Sequence, residues 1–270
     1  MPDYGNVVKL ETRDHVRFIR LNRPEKKNAL SAELGWAIVN AVTAAAAEDA
    51  VRVVAITGEG DAFCSGLDLR PGGEGPSLSP LSEQDELIDD LGWVGRFPLS
   101  MRLHCDKPVV AGINGVAVGA GFSLAMAADI RLASSSARML AGYARAGTSP
   151  DGGLTYTLTQ ALGHEKALRF LLEQRMISAD EALALGIVGE VVPASDFDES
   201  FGRYCTQLAK VAPIAARQTK RMVARAGGIH ALEAHVRDEL VNARRGLDTE
   251  DGREAVQAII EKRDPVFRGR

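Results

Sequence analysis

Two short apolar stretches, residues 51–57 and 108–113, each run forward into a glycine-bearing turn, and this doubled unit limits the fold more than any other feature of the chain. The first leads to Phe63-Cys64-Ser65-Gly66-Leu67-Asp68-Leu69. The second leads to Asn114-Gly115-Val116-Ala117-Val118-Gly119-Ala120-Gly121, after which residues 122–127 read as a helix. Ahead of both, Leu34, Ile38, Val42 and Ala45 recur at three- and four-residue spacing within residues 31–47, the stripe of an amphipathic helix. Residues 7–21 mix β-branched and charged side chains around Thr12-Arg13-Asp14-His15, a pattern that predicts two strands and a turn. Strand, helix, strand in this order predicts an α/β protein rather than a bundle or a sandwich.

Further along, residues 129–133 read as another short strand, and Ser178-Ala179-Asp180-Glu181 has the form of a capping box opening a helix that Gly186 closes. Residues 201–262 predict three or four helices, broken near Pro213, at Gly227-Gly228 and across residues 246–252. The chain has length for one large domain or a domain with an appendage. The reading divides it into a core over residues 1–197 and a helical extension over 198–270. Residues 70–80 are rich in Gly, Pro and Ser and directly follow the first turn motif. They read as a long loop, either a gate or a solvated excursion.

Composition narrows the function classes. Hydrophobic residues at 46% and charged residues at 25% are the balance of a soluble globular domain, which disfavours disorder. A formal net charge of -4 gives no basic field for nucleic acid or an anionic membrane. No stretch is long and apolar enough to span a bilayer, and residues 1–5 lack the start of a secretory signal. The cysteines Cys64, Cys105 and Cys205 have no paired short spacing, so the expectation is a cytoplasmic protein without a disulfide framework or metal site, its thiols packed in the core.

The two turns carry the chemistry. At each, glycine permits unusual backbone angles, and the next peptide N–H is available to a cleft. If the turns adjoin, the N–H groups of Leu67 and Ala120 converge on one oxygen. Two fixed donors in a water-poor site stabilise a thioester enolate or oxyanion, and losing one such donor typically costs about 3–4 kcal/mol of barrier. The Ala120 donor also falls at an expected helix N-terminus, where the dipole adds roughly half a positive charge. The dinucleotide fingerprint fails here, because Leu124 stands where its third glycine belongs.

Leu21-Asn22-Arg23-Pro24-Glu25-Lys26-Lys27-Asn28-Ala29-Leu30, residues 63–69, residues 108–121 and the ending Gly252-Arg253-Glu254-Ala255 with Glu261-Lys262-Arg263 together resemble the enoyl-CoA hydratase/isomerase (crotonase) superfamily. The likeness covers nearly the whole chain in consistent order. It implies a spiral of ββα units, C-terminal helices that build a homotrimer or a dimer of trimers, an acyl-CoA ligand and no further cofactor. Position by position, Leu67 and Ala120 match the oxyanion amides. Cys64, Gly66, Asp68 and Gly119 surround them, and Lys26 and Lys262 match lysines that reach CoA, a solvated charge being the other reading of each.

Hydratases of that superfamily use two glutamates, and the matching places here hold Ser123 and Tyr143. Paired carboxylates for adding water are therefore missing. Asp151, in Thr148-Ser149-Pro150-Asp151-Gly152-Gly153, falls where some isomerases and dehalogenases carry a working aspartate. The pattern most resembles the ring-epoxide acyl-CoA isomerase of phenylacetate breakdown. Asp151 is thus a candidate catalytic base, with the N-cap of a following helix as its alternative role. Tyr143 either lines the acyl pocket, donates a hydrogen bond or packs, and Ser123 reads as a small spacer. The expected function is an acyl-CoA isomerase; an enoyl-CoA hydratase and a non-catalytic acyl-CoA-binding homologue are the alternatives.

Overall fold

The computed structural model describes residues 5–69 and 78–270. Most of the loop expected over residues 70–80 therefore lies outside the described residues. Strands β1 (Val8–Arg13) and β2 (Val16–Leu21) form the expected hairpin, with Asp14 and His15 both at positive φ, as a type I′ turn requires. Helix α1 (Ala32–Ala47) follows, its first turn capped by the Ser31 hydroxyl, which accepts from the Leu34 N–H at 3.2 Å.

Three strand pairs then alternate between two sheets. They are β3 (Val53–Gly58) with β4 (Ala62–Cys64), β5 (Val109–Ile113) with β6 (Val116–Val118), and β7 (Ile130–Ser134) with β8 (Arg138–Leu140). The first member of each pair lies in a sheet ordered β1-β2-β3-β5-β7-β10, where β10 is Glu190–Val192. The second lies in a sheet ordered β4-β6-β8-β9, where β9 is Ile177–Ser178. Each pair is followed by helix: α2 (Glu83–Ile88) and α3 (Gly92–Leu99) after β4, α4 (Ala120–Ala127) after β6, and α5 (Leu154–Leu162) with α6 (His164–Glu173) after β8. Parallel pairing of β3, β5 and β7 in one sheet and of β4, β6 and β8 in the other makes this a spiral of ββα turns, as expected.

Helix α4 runs through the centre, with all eight of its residues buried. Helix α7 (Ala179–Leu185) opens on the Ser178–Glu181 capping box and ends at Gly186 in the left-handed region, both as the sequence predicts. The C-terminal region comprises α8 (Phe197–Leu208), α9 (Pro213–Ala226), α10 (Leu232–Leu247) and α11 (Glu250–Glu261). Helix α8 closes the open face of the six-stranded sheet, stacking Phe197 on Phe201 and setting Phe201 edge-on to Phe18. Helix α10 buries Leu232, Val236 and Leu240 in a cluster with Leu91 and Leu99. No residue of α9 is buried, and Ile214, Met222 and Val223 stand exposed on it. No described helix is long and apolar enough to cross a membrane.

Candidate active site

The parallel pairing of β4 with β6 sets Cys64 opposite Ala117 and brings the two glycine turns together. Gly66, at φ 99°, lies so close to the second turn that a β-carbon on it would sit 2.8 Å from the Val118 carbonyl oxygen and 4.0 Å from the Ala120 nitrogen. Leu67 forms a parallel bridge with Leu30, in which the Leu30 N–H donates to Gly66 and the Asp68 N–H donates to Leu30, at 2.8 and 2.9 Å. That pattern turns the N–H of Leu67 itself away from Leu30. Gly119, at φ 55° and ψ -127°, bends the chain so that Ala120 opens α4 with its N–H ahead of the first helical turn. Neither the Leu67 N–H nor the Ala120 N–H has an acceptor among the described residues. The two turns thus adjoin in the fold.

Strand β8 carries the chain on to Tyr143, and the next turn carries Asp151. The Tyr143 hydroxyl donates to Asp151 Oδ1 at 2.6 Å, and Ser123 Oγ, on α4, lies 2.7 Å from the same hydroxyl. Because Tyr143 spends its proton on the carboxylate, Ser123 donates to Tyr143, and the chain of bonds runs Ser123 to Tyr143 to Asp151. Asp151 Oδ2 has no partner among the described residues. Asp151 keeps part of its surface open, yet burial of the carboxyl lifts its pKa to about 6, against the opposing pull of the Tyr143 bond. Burial and the charge of Asp151 hold Tyr143 well above the ordinary tyrosine value, so it remains a neutral donor. One reading of the sequence is corrected here: Ser123 is a hydrogen-bonding partner rather than a spacer. Of the alternatives for Tyr143, the structure shows the donated hydrogen bond.

The alternative role of Asp151 as a helix N-cap is also excluded. Helix α5 starts at Leu154 behind Gly153, without a local side-chain cap. Its first-turn donors are taken by Glu239 of α10, which accepts from the Gly153 N–H at 2.6 Å, from the Thr155 N–H at 2.8 Å and from the Thr155 hydroxyl. Sequence reasoning missed Glu239, whose partners lie more than eighty residues away in the chain. Its one local signal is a glutamate on the face of α10 that carries Leu232, Val236 and Leu240, an acid where packing calls for an apolar residue.

The remaining expected site residues divide. Asp68 is not presented to a ligand as an isolated carboxylate: its side chain is 7% exposed and ion-paired to Arg23 at 2.9 Å and Lys26 at 3.2 Å. It therefore ties the Lys26 loop to the first turn. Lys26 keeps its side chain partly open while paired. Asn28, fully buried at φ 55°, fixes the same loop by donating to the carbonyls of Glu59 and Ala62. Cys64 is wholly enclosed, and burial pushes its thiol up to about 12, so its side chain packs instead of meeting a ligand. Cys105 and Cys205 are buried and unpaired as expected. Lys262 stands exposed at the C-cap of α11, and no described bond joins it to the other site residues. An apolar cleft of about 500 Å³, lined by Tyr156, Val223 and Ile229, lies beside Asp129 beyond the C-terminal end of α4 and contains none of these groups.

A ββα spiral with two unpaired main-chain donors at one end of its central helix and a raised carboxyl in the turn before α5 defines the class of acyl-thioester enzymes with this fold. The sequence profile described as "Enoyl-CoA hydratase/isomerase" matches residues 11–270, and the chain belongs to that family of enzymes. It is 35% identical to a probable enoyl-CoA hydratase of Rhodobacter capsulatus over 98% of this chain and 99% of the relative. It is 30% identical to 4-chlorobenzoyl coenzyme A dehalogenase-2 of an Arthrobacter species over 87% of this chain and 83% of the relative. Among solved structures, the crystal structure of carnitinyl-CoA hydratase from Mycobacterium avium superposes with a TM-score of 0.86 at 29% identity, covering 98% of this chain and all of that one.

Proposed function

We propose that this chain is an acyl-CoA isomerase in which Asp151 moves a proton beside the thioester while the N–H groups of Leu67 and Ala120 hold the enolate oxygen. The observation that carries the reading is the Asp151 carboxyl, raised to about 6 and held by the Tyr143 phenol, while Ser123 and Tyr143 stand at the two places where the water-adding enzymes resembled by the sequence have glutamates. A carboxylate near that value is ionised at neutral pH yet basic enough to take a proton from an activated carbon. In the step proposed for a 3-enoyl-CoA, Asp151 takes a proton from the carbon next to the thioester. The electron pair passes to the carbonyl oxygen as an enolate; as the enolate collapses, a double bond forms between the second and third carbons and the pair of the original double bond takes the proton back from Asp151 at its far carbon, the fourth. Atoms balance with no further reagent. Lys26, tied by Asp68, and Lys262 supply positive charge for CoA.

Hydration is the second reading, and the name of the Rhodobacter relative favours it. In that case Asp151, held by Tyr143, would activate a fixed water. Two substrates separate the readings: but-3-enoyl-CoA should give the conjugated but-2-enoyl product, and but-2-enoyl-CoA should give the 3-hydroxy product only if the enzyme hydrates. D151N should lower the isomerisation rate by about 10²–10⁴-fold with little change in acyl-CoA binding. Full turnover in D151N overturns the reading, and binding without turnover of either ester by the unaltered protein leaves the acyl-CoA-binding homologue in its place. A homotrimer or a dimer of trimers fits the uncovered apolar residues of α9 and is read directly by light scattering.

A further inference from the structure

Resting on that reading, we propose that Glu239 is a positioning residue for Asp151: from α10 it grips the turn Asp151-Gly152-Gly153 and the first residues of α5, fixing the carboxylate against Tyr143. Glu239 is 5% exposed, and its two carboxyl oxygens satisfy donors that belong to the backbone two and four residues after Asp151. Nothing else in the turn does so. Gly152 and Gly153 sit at φ 64° and 75°, where side chains are strained, and α5 lacks a local cap. The turn is also wedged from the other side, since a β-carbon on Gly152 would lie 3.1 Å from the Ser123 β-carbon and closer still to the Phe97 ring. Asp151 is therefore held between α4, which bears Ser123, and α10, which bears Glu239.

The charged and titratable groups around Glu239 are Asp151, Tyr143 and His235. Burial lifts Glu239 to about 7, its Thr155 and Gly153 bonds pull the other way, and the charge of Asp151 adds to the rise. His235 Nε2, half-open to solvent, lies 2.6 Å from the Thr155 hydroxyl and 3.7 Å from Glu239. The anion is the form that accepts the N–H bonds best, so its grip strengthens as pH rises through about 7. The charge of Asp151 adds to the rise of Glu239, and turnover should rise with pH in two steps, a lower one for Asp151 and an upper one for Glu239.

The test uses the full chain, with but-3-enoyl-CoA as the probe and E239Q as the variant. Glutamine keeps the shape but sets one amide donor against donors. We expect kcat to fall about tenfold or more with KM within about twofold, because a misplaced general base loses rate while the CoA contacts stay. The upper step of the pH profile should vanish as well. An unchanged kcat and an unchanged profile overturn the proposal. Should E239Q fail to fold, T155V keeps both backbone donors and removes one hydroxyl bond to the anion; its upper step must then move to higher pH, and an unmoved step overturns the assignment. A readout independent of turnover is NMR of isotope-labelled carboxyl carbons. In D151N the Glu239 midpoint should fall below its value in the unaltered protein, and an identical midpoint refutes the coupling. A protein that shows this coupling yet turns over no acyl-CoA would sink the isomerase reading while leaving the positioning role in place.

Discussion

Replacing Asp151 by asparagine should make the protein more stable as well as inactive, and the pH dependence of the gain follows from the site. Asp151 has its pKa raised from 3.8 to about 6 by burial. The folded state therefore binds a proton more tightly than the unfolded state between those values. The stability this confers is complete below the unfolded pKa and is lost as pH rises through the folded one. A shift of about two units corresponds to about 3 kcal/mol, a ceiling because part of Asp151 remains open to water. Asparagine keeps an oxygen to accept the Tyr143 proton and has nothing to ionise. Urea unfolding of both proteins at one fixed concentration, at pH values from about 4 to 7, should show the variant gaining about 2–3 kcal/mol relative to the parent across that window. Ionisation of every other group cancels in the difference, apart from Glu239, whose own rise lies at the upper end of the range. A difference that stays constant from the acid end to the neutral end would mean that Asp151 is no more costly to ionise in the fold than in the open chain, and the argument for a poised base would fail.

Y143F removes the donor to Asp151, so the acid limb of the kcat profile should move to higher pH. It also leaves the buried Ser123 hydroxyl with only its 3.4 Å contact to the Gly119 carbonyl, at a cost of up to about 1–3 kcal/mol, read by the same unfolding assay. G66A places a β-carbon 2.8 Å from the Val118 carbonyl oxygen at a φ of 99°, so it should lower kcat for but-3-enoyl-CoA by about 10²-fold or more while the folded protein still binds free CoA, as isothermal titration would show. Cys64, Cys105 and Cys205 should resist alkylation at pH 8 until denaturant is added, since all are buried and burial raises each thiol; mass spectrometry counts the labelled sites.

Elements with a strong local signal were legible in the sequence. The α1 stripe, the β1–β2 hairpin, the α7 capping box and the C-terminal breaks at Pro213 and Gly227-Gly228 all stand where periodicity and turn chemistry put them. The strands of the second sheet were not legible, because β4, β6 and β8 are three residues long and alternation cannot be read in so short a run. Helix α3 was hidden too, since it carries Pro98 in its interior and continues into a π-helical segment over Ser100–His104. At the site, the glycines named both turns because each turn demands a backbone only glycine adopts freely. The bonds among Ser123, Tyr143 and Asp151 were beyond reach for the opposite reason: a serine, a tyrosine and an aspartate on separate elements have no spacing rule, and only the crossing of α4, β8 and the α5 turn brings them together.

The placement of Glu239 explains why Asp151 is available at all. An aspartate two residues before a helix-opening glycine has an easy local use, since its carboxylate can accept the unpaired N–H groups of the first turn. In such a bond the anion would be stabilised and its pKa lowered, which is the wrong direction for a base working near neutral pH. Here those N–H groups are already taken by a carboxylate from α10, some eighty residues downstream. Asp151 is left with one bond, from a neutral phenol, in surroundings that raise its pKa. Helix α5 obtains a cap, and the nearby acid keeps its basicity. The division of labour depends on α10 lying against α3 and α5, so in the proposed mechanism a C-terminal helix bears on the chemistry through the residue it presses against the Asp151 turn.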